Sequence, residues 1–384
     1  MKRAMRAALS WIGRALLFAA IALCFAPTAI PPFLDRIYYE GPPSGHFDGA
    51  RFFNPGPAPP ARRGSILDRW AGSEPQAAWP DEVPVSPTVP PRRVEDGEMV
   101  VTWVGHSTVL VQTAGLNILT DPIWSDRASP FSFTGPRRVR QPGVHFEDLP
   151  RIDLVLVSHN HYDHLDLPTL RRLWERDRPL IVTGLGNDTL MRGAGIEASA
   201  FDWGRGTRLA CHHRYRHLPR DQWPQVRYAG LLTHPCQVRL LRNYHWTSRW
   251  LTDRNRALWT AFAVETPWGA IFFGGDTGWG GGSWAREAAA LAPYRLAILP
   301  IGAYAPREVM RNSHLNPGEA LAVFDILHPT MALGVHWGTF QLGWEAIDAP
   351  PRATAALSHG RPAQDRFVTT EVGQSFRVPA IGNQ

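Results

Sequence analysis

The sequence predicts an α/β fold, an αββα sandwich in which two mixed β-sheets pack together and helices cover their outer faces. Three observations point there. Short runs rich in Val, Thr and Ile recur from Met99 onward between turn signals. Segments with helical leucine spacing are inserted between later runs, and the strands fall into two halves of the chain, as two packed sheets require.

The elements follow in order. MVVTWV, STVLVQT and LNILTD are separated by GH and AGLN and read as consecutive antiparallel strands. Ile152 to Ser158 (IDLVLVS) is a buried strand, and Leu167 to Asp177 has helical spacing. ALWTAFAVET and AIFFGGD form a hairpin turning at Pro267-Trp268-Gly269, and RLAILPIG is another buried strand. Pro317 opens a helix through Leu327, and MALGVHW follows as a strand. No internal repeat is visible.

A chain of 384 residues with 44% hydrophobic content can bury a large core, which excludes disorder. The formal charge is +6, but Lys2, Arg3, Arg6 and Arg14 precede the first acid, Asp35, so only about +2 belongs to the rest. A nucleic-acid partner gains no support from that balance. Cys24, Cys211 and Cys236 form no Cys-x-x-Cys pair, so a bound metal must use His and carboxylate ligands. Cys211 and Cys236 bracket a His-rich stretch, and a disulfide between them is compatible with an oxidising compartment.

Residues 1–34 carry a basic segment and then the apolar run Ala15 to Ala26, the anatomy of a signal anchor or signal peptide. Basic residues before the run place the catalytic domain on the extracytoplasmic side, periplasmic in a Gram-negative cell. The alternative is an amphipathic helix lying on the membrane. Residues 35–97 read as an irregular Pro- and Gly-rich arm, and residues 98–384 as the catalytic domain.

The chemistry concentrates in His159-Asn160-His161-Tyr162-Asp163-His164, four potential ligands within six residues at the end of an apolar strand. Residues two apart on an extended segment point the same way, so His159 and His161 can chelate one ion. Where the chain turns toward the next helix, Asp163 and His164 swing to a second.

HNHYDH resembles the His-x-His-x-Asp-His signature of the metallo-β-lactamase superfamily. The resemblance implies the metallo-β-lactamase fold, two divalent metal ions, zinc by preference, and three further ligands. These are His245 in NYHWTSR, Asp276 in FFGGDTG as the bridging carboxylate, and His336 in LGVHWGTF. His234 in LTHPC competes with His245. VTWVGHSTVLVQ, ILTDPIWSDRASPFSFTGPRR and IGAYAPREVMRNSHLNPGEA narrow the resemblance to the branch of N-acylphosphatidylethanolamine-hydrolysing phospholipases D and their bacterial relatives. It runs from about His46 to near Gln341, with a departure at Thr207 to Cys236. His212, His213 and His217 in that departure read as loop residues.

A ligating imidazole donates its second N–H to an oxygen that fixes its tautomer, and Asp121 in LTDP is the candidate for that role, with His106 and Ser107 nearby. His314 in NSHLNPGEA matches a family position near the metals and is expected to contact substrate or leaving group. Asp163 and Asp276 join it as catalytic carboxylates.

Two divalent ions about 4 Å apart lower the pKa of a shared water toward 7 and make it a nucleophile. The expected function is therefore a phosphodiesterase acting on phospholipid through a metal-bound hydroxide. Lactonase or phosphosugar hydrolysis on the same fold is the alternative among enzymes, and a non-catalytic, membrane-anchored metal-binding envelope protein is the alternative outside them. Structural zinc sites close a single four-coordinate shell, which argues against the last.

Overall fold

Val101, Trp103, Val109 and Val111 meet Phe262, Phe272, Ile298 and Leu333 in one fully buried cluster, and this layer joins two sheets. The computed structural model describes residues 10–22, 36–56, 75–94, 97–211, 236–291 and 293–382.

The first sheet contains β1 (Met99–Gly105), β2 (Thr108–Thr113), β3 (Leu116–Thr120), β4 (Leu154–Val157), β5 (Leu180–Gly184) and β6 (Ser199–Phe201). Strands β1 to β3 are antiparallel, and β3 to β6 run parallel. The second sheet contains β7 (Gly206–Leu209), β8 (Cys236–Leu241), β9 (Ala261–Glu265), β10 (Ala270–Phe273), β11 (Tyr294–Pro300), β12 (Met331–Val335) and β13 (Phe367–Val368). It is antiparallel from β7 to β10 and parallel from β10 to β13. A last strand, β14 (Ser375–Arg377), returns to pair with β1.

The period-2 geometry of a strand explains the near-continuous apolar runs. In β4, Leu154 and Leu156 enter the layer between the sheets, whereas Val155 and Val157 enter a second cluster with Leu170 and Leu173 of the Leu167–Asp177 helix. Both faces are covered, so both parities are apolar. The Pro317–Leu327 helix starts at a capping box: Asn316 accepts from the Glu319 N–H at 2.8 Å, and Glu319 accepts from the Asn316 N–H at 3.1 Å.

Packing begins upstream of Glu98. Residues 36–56 contain no helix and only isolated bridges, yet Phe47 and Phe52 are buried against Leu258 and Trp259. Arg93 pairs with Asp153 at 2.6 Å, and the Trp79 indole donates to the Glu345 carbonyl at 2.9 Å. Two phenylalanines in a non-periodic stretch leave no pattern from which burial can be read.

The expected N-terminal anchor falls only partly on described residues, since residues 1–9 and 23–34 lie outside them. Residues 10–22 are helical, and among the described residues no helix is long and apolar enough to cross a membrane.

Cys211 and Cys236 are joined by a disulfide with Cα atoms 5.7 Å apart, beside the Leu209–Cys236 register pair of the β7–β8 hairpin. The histidines between them, His234 included, lie outside the described residues.

Candidate metal centre

The parallel strands of both sheets deliver their C-terminal ends to one edge of the sandwich, and the polar cluster is built there. Asp121 follows β3, His159 follows β4, Asp276 follows β10 and His336 follows β12, while His245 lies beyond β8 and His106 in the β1–β2 turn. Three of these residues hold left-handed backbone: His106 at φ 53°, Asp121 at φ 31° and His336 at φ 65°. Such strain persists where surrounding contacts over-determine it. The His106 N–H donates to Thr339 Oγ1 at 2.9 Å, and the His336 N–H donates to the His106 carbonyl at 3.0 Å. Gly275, at φ 55°, has no such option, because a Cβ there would stand 2.6 Å from Ser158 Cβ.

The ligand atoms fall into two groups. His159 Nε2 and His245 Nε2 approach His161 Nδ1 at 2.8 and 3.3 Å. Opposite them, His164 Nε2 is 3.1 Å and His336 Nε2 3.4 Å from Asp163 Oδ2. Asp276 Oδ2 lies between the groups, 3.2 Å from His164 Nε2, 3.1 Å from His336 Nε2 and 3.9 Å from His245 Nε2. All seven residues named from sequence thus converge, His245 among them, whereas its competitor His234 lies outside the described residues.

The donor chemistry fits divalent ions. His164 Nε2, His336 Nε2 and Asp276 Oδ1 are buried without a hydrogen-bond partner. Ligand atoms on bonds of 2.0–2.1 Å at tetrahedral angles lie about 3.3 Å apart, close to the spacing here. A packed polar cluster would instead pair its buried atoms.

The electrostatics ask for cations at the same place. Burial holds His106 at about 3, His161 and His314 at about 4, and His159 and His245 well below the usual imidazole range, which keeps them neutral and ligand-competent. Burial opposes the charged form of His336 too, but Asp276 and Asp163 overcome it and push the group to about 9. His164 is raised by the same pair, again against burial. Burial works against Asp163 and Asp276 as well, and the adjacent His164 nevertheless holds both well below the carboxylate range.

Outside the ligands, Asp121 Oδ2 accepts from His164 Nδ1 at 2.7 Å and from the Ser158 hydroxyl at 2.6 Å. Ser158 Oγ in turn meets His159 Nδ1 at 2.9 Å. His106 Nε2 donates to Asp163 Oδ2 at 2.9 Å. Ser107 is buried and accepts from Thr120 through its carbonyl. His314 stands at the margin, with Nδ1 3.7 Å from Asp276 Oδ2 and its side chain 12% exposed.

Sequence reasoning missed Ser158, Asn243 and Arg249. Asn243 donates to the carbonyls of Gly274 and Asp276 at 3.0 and 2.9 Å, fixing the turn that aims Asp276. Arg249 donates to the carbonyls of Asn160 and Leu165 at 2.9 and 2.8 Å and lies over the Tyr162 ring, which clasps the histidine-rich loop. Ser158 was the most findable, since it precedes the first ligand.

The beta-lactamase superfamily domain model matches residues 116–337, which include every ligand group described above. The chain belongs to the metallo-β-lactamase superfamily. It is 35% identical over 290 residues to N-acyl-phosphatidylethanolamine-hydrolyzing phospholipase D 1 of Caenorhabditis elegans, covering 73% of this chain and 76% of that protein. It is 30% identical over 293 residues to the mitochondrial N-acyl-phosphatidylethanolamine-hydrolyzing phospholipase D of Saccharomyces cerevisiae, covering 74% of this chain and 58% of that one. An isothiocyanate hydrolase from Delia radicum gut bacteria matches in fold with a TM-score of 0.55 at 17% identity, over 73% of this chain and 100% of that one. The fold and the family are those of metallohydrolases, and the His/Asp clusters of this chain bring together donor atoms of the kind a divalent ion takes.

Proposed function

We propose that the protein is a dinuclear, zinc-dependent phosphodiesterase acting on phospholipid, of the N-acylphosphatidylethanolamine-hydrolysing phospholipase D type. The observation that carries the reading is Asp276 Oδ2, set between a group of three neutral imidazoles and a group of two imidazoles with a carboxylate. The two phospholipases named above, similar over nearly three quarters of the chain, support the choice of substrate.

His159, His161 and His245 would hold one ion, Asp163, His164 and His336 the other, with Asp276 shared. Nitrogen ligands predominate, which favours zinc over magnesium. When bound, the ions supply an activated water and draw off the charge that builds on the phosphoryl group.

The side chains divide the remaining work. Asp121 and Ser158 orient the imidazoles of His164 and His159, and His106 fixes the carboxylate of Asp163. His314, kept neutral by burial, offers a ring N–H at the open margin, where it can hold a substrate or leaving-group oxygen. Attack by water needs no Ser, Thr or Cys nucleophile. The Cys211–Cys236 disulfide supports an oxidising, extracytoplasmic compartment for the domain.

Purified protein offered phospholipids, soluble phosphodiesters and lactones in isotopically labelled water tests the reading. Label is expected in the phosphate-containing product of a phosphodiester. Label in a carboxylate product, with phosphodiesters untouched, would replace the proposal with a lactonase.

A further inference from the structure

Beside the histidine-rich loop lies a pocket of about 620 Å³, lined by apolar groups such as Leu165, Leu190 and Ala194 and by Tyr162, Arg249 and Trp250. Arg36, Arg127 and Pro130 line it as well. Among the described residues the one lining carboxylate, Asp166, is already engaged by the N–H groups of Trp124 and Ser125 and by the hydroxyls of Ser125 and Thr169.

The exposed apolar side chains gather here. Among the described residues outside the 10–22 helix, nine large hydrophobic side chains are exposed. Five of them, Ile37, Phe131, Phe133, Trp250 and Leu251, line the pocket or lie within three residues of a lining residue. Phe133 is 77% and Leu251 93% exposed, values that a monomer surface has no reason to concentrate at one mouth.

The two loops that carry them are built to hold these side chains outward. Phe131 and Phe133 rest ring against ring at 5.4 Å, on a loop that Arg127 pins through the carbonyls of Ser132 and Gly135 at 3.1 and 2.7 Å. The second loop wraps the buried carboxylate of Asp253, which accepts from the Ser248 hydroxyl at 2.8 Å and from the N–H groups of Arg249 and Trp250 at 3.0 and 2.8 Å.

The chain's own course selects the occupant. The apolar 10–22 helix is followed, after thirteen intervening residues, by Arg36, which is itself in the pocket wall. At most about 50 Å of extended chain separates the two, so the apolar, basic N-terminal segment is tethered to this face. Aromatic and aliphatic groups mixed with arginine beside such a tether match an anionic lipid–water interface.

We propose that this face docks onto an anionic phospholipid bilayer, with Phe131, Phe133, Trp250 and Leu251 entering the interfacial layer and Arg36 and Arg127 facing lipid phosphates. Docking brings the pocket, and through Tyr162 the metal-binding loop, against the lipid. The inference concerns where the domain sits and holds whichever substrate the metal centre cleaves.

Backbone hydrogen exchange of the full chain, with and without vesicles of equimolar phosphatidylcholine and phosphatidylglycerol, tests it. Residues 129–134 and 248–252 should be protected in vesicle-bound protein. Absence of protection there would overturn the proposal and leave binding to the N-terminal segment or to another protein partner of this face. The double variant Phe133→Ser/Leu251→Ser, checked for folding by its melting temperature, should partition onto the same vesicles about tenfold more weakly or worse. Unchanged partitioning would also overturn it. Protection without cleavage of any phospholipid would sustain the docking and remove the proposed substrate, so the two readings fail separately.

Discussion

Asp121 Oδ2 accepts a hydrogen bond from His164 Nδ1 at 2.7 Å, and the Ser158 hydroxyl that donates to the same oxygen also contacts His159 Nδ1. One buried carboxylate therefore fixes the tautomer of an imidazole in each ligand group. Asp121→Asn should keep the fold and lower metal affinity about 10–100-fold. Ser158→Ala should weaken chiefly the group containing His159. Titration against a chelator checks both, and unaltered affinity in Asp121→Asn would show that packing alone orients the rings.

Metal content follows from the two groups. Purified, fully loaded protein should hold close to two metals per chain, and a chelator should abolish activity. Asp276 faces both groups at 3.1 to 3.9 Å, so Asp276→Ala should lose at least one metal and nearly all turnover. A preparation with a single bound metal and unchanged activity in Asp276→Ala would sink the dinuclear model.

Loading should also release protons. In metal-free protein at pH 7, His164 and His336 should carry protons, because Asp276 and Asp163 raise both above the ordinary imidazole value, His336 to about 9. Binding must displace those protons, whereas His159, His161 and His245 are already neutral and have none to give. Zinc addition in a weakly buffered solution should therefore acidify it by about two protons per chain from the histidines, plus what the activated water gives up. Affinity should rise with pH toward about 9 as His336 gives up its proton unaided. Loading with no pH change would contradict this.

Much of this arrangement could be read from residue order, and the part that could not has a physical pattern. His159, His161, Asp163 and His164 announce themselves because four ligand types crowd the end of an apolar strand, and Asp276 and His336 because each closes another. The strands themselves are legible where five or more Val, Ile and Leu-rich residues run together, as in β1 and β11. The three-residue β6 and four-residue β7 are too short to show a period. Ser158 and Asn243 act through hydrogen bonds to strand ends of their own sheets, 37 and 31 to 33 residues away, and Arg249 reaches carbonyls beyond β4 of the other sheet, so their roles exist only once the chain has folded. Phe47 and Phe52 are hidden for the same reason: nothing local marks them as core.

The disulfide gives a stability prediction. Cys211 and Cys236 are separated by 25 residues, and closing a loop of that size restricts the unfolded chain by about 3 kcal/mol in the chain-entropy model. Protein exported by its native route should carry no free thiol at either position. A Cys211→Ser/Cys236→Ser variant should melt earlier while its metal content stays the same. Free thiols at both positions in exported protein would dismiss the bond and the compartment inferred from it.

The sharpest division lies between the residues proposed to hold metal and the one at the margin. His161 and His336 approach other ligand atoms at 2.8 to 3.4 Å, so replacing either by Ala should remove metal and lower the rate by several orders of magnitude. His314 stands 3.7 Å from Asp276 Oδ2, within 4.8 Å of both Asp276 and His245, and keeps 12% of its side chain exposed. His314→Ala should therefore leave two metals bound and slow turnover by about 10²–10⁴-fold, the range for a positioned polar group acting on reacting atoms. Metal analysis and rate measured on the same preparations separate the cases. Loss of metal in His314→Ala would make it a ligand; full activity would remove it from the chemistry and leave the open margin to other groups.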